Sequence, residues 1–152
     1  MRSILAGMAG GLAAGALTSG VAAFGRESGT LHKTMAENAR DWLQQNTSSP
    51  PPGPVAEHGS HFGMAALLGG LYGLTRPLTR FIPAPIMGAL FGAGLYYTNA
   101  AAIAPAIGMT EGEDKADKKI SYERLAVHVG FGVVTALVAA ALAERSHDDD
   151  DD

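Results

Sequence analysis

The sequence predicts an all-α integral membrane protein: a four-helix bundle, with an amphipathic interfacial helix between the first two spans. Three observations carry this expectation. Only 17% of the 152 residues are charged and 47% are hydrophobic, whereas a soluble domain carries about a quarter charged residues. The charges gather in short segments and leave four long stretches almost free of them. Within those stretches small residues recur at every fourth position.

The apolar stretches are residues 4–24, 58–74, 85–107 and 122–143. A helix crossing the bilayer core needs roughly 20 apolar residues, within a range of about 17–25. All four qualify by length, the second barely. Unpaired backbone groups are too costly in lipid, so each span is expected to be helical. The first stretch follows Arg2 and contains small residues at Gly20, Val21 and Ala22, the outline of a secretory signal peptide. Its apolar run is long for the core of such a signal, so it reads as a span. Residues 1–145 then form one membrane domain. Residues 146–152 read as an acidic, disordered tail.

Gly7, Gly11, Gly15 and Ser19 fall on one face of the first span. They offer a smooth strip where another backbone can approach, and such packing is what joins helices in lipid. The second span offers Gly59, Gly63, Ala66, Gly70 and Gly73, and the third begins with Gly88 and Gly92. The spacing predicts tight helix packing. It leaves open whether the partner is in the same chain or in another copy.

Between the first two spans, residues 30–45 alternate as an amphipathic helix. Leu31, Met35, Ala39, Trp42 and Leu43 lie on one face, and Lys33, Glu37, Arg40, Asp41 and Gln44 lie elsewhere. That pattern suits a helix at the lipid surface, or equally one packed over the end of the bundle. The prolines of "TSSPPPGP" then impose a stiff, extended return. "TRPLTRFIPAP" reads as a tight turn between spans two and three. "TEGEDKADKK" is a charged loop before span four, with Ser121 as its expected N-cap. Arg2, Arg76, Arg80 and Arg145 share one side, which favours cytoplasmic termini by the short-loop rule. The other side holds more Lys and Arg in longer loops, which opposes it.

The formal net charge of −4 includes five aspartates at the C-terminal end, and without them the balance is about +1. Nothing in it suggests nucleic acid. There is no cysteine, so disulfide and thiolate chemistry are excluded. No serine–histidine–acid, phosphate-loop or zinc-ligand pattern appears, and no catalytic residue is nominated. The remaining chemistry lies in "EHGSHFG", with Glu57, His58 and His61, and in His128. Topology places His61, His128 and Asn99 in one half of the bundle, together with Thr18 and Ser19. Polar groups avoid lipid, so His61, His128 and Asn99 are expected to form one inward-facing cluster, with His58 at the boundary. Its default role is hydrogen bonding that fixes helix register. The alternative is a metal or haem b site using His58, His61 or His128. A further alternative is a small solute or proton transporter lined by Asn99 and His128, which interrupted helices would favour.

"MGALFGAGLYYTNAAAIAPAIGMT" has Gly88-Ala89, Gly92, Pro105, Gly108 and Thr110, and "FGMAALLGGLYG" precedes it. Over residues 57–143 this resembles the YagU-like family of small bacterial inner-membrane proteins. Their third helix starts with a similar Gly–Ala–x–x–Gly and ends in Pro–x–x–Gly–x–Thr, and His128 is similar to a histidine of their last helix. Where those proteins tend to carry a histidine midway along the third helix, this chain has Asn99-Ala100. The resemblance implies a bacterial inner-membrane location and no known substrate. The expected function is a non-enzymatic membrane protein. Beyond the bilayer, its expected partners are further copies or the other subunits of a membrane complex.

Overall fold

The computed structural model of the chain describes residues 1–27, 35–48 and 53–148. Within them the structure is all-helical, with no strand. The order is α1 (Arg2–Glu27), α2 (Met35–Asn46), α3 (Pro54–Thr75), α4 (Ala84–Tyr96), a π-helical segment (Tyr97–Ile103), α5 (Ala104–Ala106) and α6 (Lys118–Asp148). Three stretches are long and apolar enough to cross a membrane: Arg2–Gly25, Ala84–Ala106 and Lys118–Glu144. They match the first, third and fourth expected spans. The second expected span lies in α3, which does not reach that measure among the described residues. Its opening turns carry His58, Ser60 and His61 among glycines.

Several boundaries move. The interfacial helix was expected over residues 30–45, and α2 covers Met35–Asn46; residues 30–34 lie outside the described residues. α6 begins a turn earlier than its expected cap Ser121. Asp117 does the capping, because its Oδ1 accepts the Lys119 backbone N–H at 2.7 Å, the bond an N-cap carboxylate makes to the second helical residue. At the other end α6 continues to Asp148. Residues 146–148, expected in the disordered tail, are therefore helical, and the rest of the tail lies outside the described residues.

Glycine decides which helices meet. α1 lies antiparallel to α3: a Cβ on Gly7 would strike Gly69 and Gly73, one on Gly11 would strike Ala65 and Gly69, and one on Gly15 would sit 2.9 Å from the Ala65 Cβ. α4 meets α6 in the same way, with Gly88 against Gly132 and Gly92 against His128 and Val129. Gly10 brings α1 onto the Thr135 backbone of α6. The close pairs are thus α3–α1, α1–α6 and α6–α4. Between α3 and α4 the contact is instead that of the Tyr72 and Phe91 rings, edge to face with centroids 5.4 Å apart. Tyr72, Ala136 and Ala139 form one buried cluster, and Ala14, Ala65 and Phe131 another.

The α3 strip differs from expectation. Gly59 and Gly63 have nothing within 4 Å of where a Cβ would point, and Gly70 faces the flexible Met8 side chain. The row that meets the backbone of α1 is Ala65, Gly69 and Gly73. A sequence strip at Gly59, Gly63, Ala66, Gly70 and Gly73 alternates steps of four and three residues. The α1 row at Gly7, Gly11 and Gly15 steps strictly by four, and an i+4 ridge is matched most closely by another of the same pitch.

The same pitch accounts for the π segment. Gly88, Gly92, Tyr96, Ala100 and Ala104 are all buried, again every fourth residue. In an α-helix of 3.6 residues per turn such a row drifts by about 40° per step. The wider π turn, bonding i to i+5, as Ala104 N–H does to Asn99 O, turns the row back so that Ala100 and Ala104 still face inward. α5 then ends in a Schellman motif. Met109 N–H bonds Ala104 O at 2.8 Å and Gly108 N–H bonds Pro105 O at 3.1 Å, with Gly108 at φ +74°. This left-handed position favours glycine.

Candidate functional site

The site is assembled at the end where α4 finishes and α6 begins. Gly108 turns the chain out of α5, and Gly112 at φ +99° turns it again, so that Glu113 points back at the helices. Its Oε2 accepts the Tyr96 hydroxyl at 2.8 Å, and its Oε1 accepts Arg124 Nη1. The two charged side chains are 12% and 15% exposed, so this ion pair is mostly out of water. Arg124 O in turn accepts His128 Nδ1–H at 2.7 Å. The His128 ring meets Tyr96 edge-on, with centroids 5.9 Å apart. The loop, α4 and α6 are thereby tied through one carboxylate. Burial opposes ionisation of Glu113. The Ser121 hydroxyl beside it, the bonds from Arg124 and Tyr96 and the Arg124 charge outweigh that burial and hold the carboxyl below its ordinary range. The Ser121 Oγ is buried without a bond of good geometry, so its part is that of a neighbouring dipole.

His61 belongs to a different junction. Its Nε2 lies 3.0 Å from Ser19 Oγ and 3.3 Å from Gly15 O, both on α1. A carbonyl only accepts, so the tautomer protonated at Nε2 serves both contacts. His58 is exposed. The expected cluster of His61, His128 and Asn99 therefore divides. The first histidine clamps α3 to α1, the second serves α6 and α4, and no hydrogen bond joins either to Asn99. Asn99 lies beside the buried row, because the every-fourth register selects Ala100. Among the described residues there is no group of three or more His, Cys, Asp or Glu able to hold a metal. Haem ligation by His61 and His128 would require two rings now held by different helix pairs to be released from their partners. The Ser19–His61 pair brings a hydroxyl to an imidazole, but no carboxylate bonds the ring among the described residues. The contacts it makes join α3 to α1. Ser19→Ala and His61→Ala are each expected to cost about 1 kcal/mol, the range of interhelical hydrogen bonds in membranes. The double mutant should cost no more than the larger single one, as a double-mutant cycle of thermal unfolding in detergent would show.

Sequence reasoning missed Glu113, Arg124 and the role of Tyr96. A usable signal existed: an arginine inside an apolar stretch needs a partner, and the acidic loop just before it supplies one. At the same end Trp42 of α2 donates its indole N–H to Ile107 O at 2.9 Å. That satisfies a carbonyl at the end of α5 and seats α2 against the packed helices. Comparison with family models, curated proteins and solved structures gives no match.

Proposed function

We propose that the protein crosses the bilayer four times, α3 included, as a non-enzymatic four-helix bundle that self-associates or serves as an accessory subunit of a larger membrane assembly. The observation that carries this reading is how the glycines divide. Gly7, Gly11, Gly69, Gly73, Gly88, Gly92 and Gly132 are closed on one another within the chain, while Gly59 and Gly63 stand open on the outer side of α3. Open small residues one turn apart are where a second helix can approach in lipid. Met64, Leu67, Leu71 and Leu74 are exposed along α3 at 48–65%, an apolar outer stripe that supports its place in the membrane despite its polar start. The non-enzymatic reading rests on the polar groups around Glu113 and His61, which bond one another, with no nucleophile–base–acid set described by the hydrogen bonds among the described residues. The bacterial inner-membrane location, with cytoplasmic termini, rests on the resemblance to YagU-like proteins and on the arginines of the short turn.

Gly63→Leu tests the reading. It is expected to shift crosslinked or native-gel species from the assembled to the single-chain form. Thermal stability in detergent should stay within about 0.5 kcal/mol, as for a surface substitution. An unchanged distribution of species would remove α3 as the contact face.

A further inference from the structure

At the opposite end from Glu113, α1 and α6 part around a crevice of about 480 Å³. Ala6, Ala139, Ala140 and Ala143 make it apolar, and Ser3, Arg76 and Glu144 stand at its polar margin. Arg76 uses Nη1 on two carbonyls of its own turn, Thr79 O at 3.2 Å and Ile82 O at 3.1 Å. A guanidinium has five N–H donors, and among the described residues the others meet no carboxylate. Glu144 likewise has no ion pair among them. Two opposite charges thus border one crevice without pairing with each other. Beneath the alanines Tyr72 is wholly buried against Ala139 and Ala6, and its hydroxyl has no partner among the described residues.

These features fit one ligand chemistry: an anionic group and an ammonium on the same molecule, above an apolar body. We infer that the crevice holds a zwitterionic phospholipid of the ethanolamine class, its phosphate on Arg76, its ammonium on Glu144 and the start of an acyl chain along the alanines. The alanines select a lipid over a soluble zwitterion, since methylenes gain from apolar burial and a hydrated solute does not. Arginine suits phosphate because its planar fork bonds two oxygens together. An ethanolamine ammonium still has N–H donors for a carboxylate; a choline headgroup has none. The inference rests on the membrane reading above.

The test is native mass spectrometry of the full chain in mild detergent, with dioleoyl lipids of ethanolamine, choline and glycerol headgroup at equal concentration. The ethanolamine lipid is expected to bind about fivefold better than either, the factor one favourable rim ion pair supplies. Glu144→Gln should abolish that preference. Arg76 also holds its turn together, so Ala140→Leu serves as the second variant, expected to reduce lipid adducts by filling the crevice while leaving the thermal midpoint unchanged. Equal binding of the three lipids, or a preference that survives Glu144→Gln, would overturn the inference. Competition by soluble phosphoethanolamine as strong as by the lipid would overturn the lipid assignment. Failure of the membrane reading would look different: the protein would leave the membrane fraction on carbonate extraction.

Discussion

Gly11→Leu is expected to separate α1 from α3 and to lower stability by about 3 kcal/mol or more. Adding side-chain volume to a packed interior costs about 1–3 kcal/mol and occasionally more. Here the obstruction is backbone, the Ala65 carbonyl and, at 2.9 Å, the Gly69 Cα, which cannot move aside by a rotamer change. Gly92→Leu should behave alike, because the His128 carbonyl and Val129 Cα oppose it. Gly63→Leu and Gly94→Leu serve as controls, since both positions are open. Thermal unfolding in detergent reads all four. If Gly11→Leu matched Gly63→Leu, the close approach of α1 and α3 would be wrong.

The second large effect is expected at Glu113. Glu113→Gln leaves Arg124 charged and largely buried without its carboxylate, and breaking such a pair costs about 3–5 kcal/mol when burial is complete. The pair retains some exposure, which points to the low end, about 3 kcal/mol. The effect should depend on pH with a definite sign. The folded carboxyl titrates below its ordinary value of 4.5. Its stabilisation is therefore fully present above that value and is lost as the pH falls through the lower folded one. The wild-type advantage over Glu113→Gln should be constant near neutrality and close in acid. A gap that widened in acid, or one absent at pH 7, would contradict the clasp.

The helices were legible in the sequence wherever a feature depended on local composition. Runs of Ala, Leu and Val free of charge mark α1, the α4–α5 stretch and α6. Repeats at Gly7, Gly11, Gly15 and at Gly88, Gly92 mark their contact faces. α3 was less clear because its polar start dilutes the apolar signal, and because two small-residue rows run along it. Only packing against a row of matching pitch selects Ala65, Gly69 and Gly73. The site was harder still. Topology places His61 and His128 towards one end but says nothing about which neighbour each ring meets. Rotation about the helix axis decides that, and it sent His61 to Ser19 and His128 to Tyr96. Glu113 was hidden because its role depends on two positive-φ glycines folding a loop back on the helices.

The unequal edges of the structure have a consequence for synthesis. The partner of α3 is α1, already made when α3 emerges, so this pair can close early. α4 follows at once through a short turn, yet its glycine face fits α6, which leaves the ribosome last. Domains and their parts fold in the order that synthesis delivers their contacts. Until α6 has emerged, the faces of Gly88 and Gly92 therefore stand open to their surroundings. A nascent chain arrested with α4 released and α6 still inside the ribosome should crosslink to its surroundings from α4 and fall silent once α6 is released.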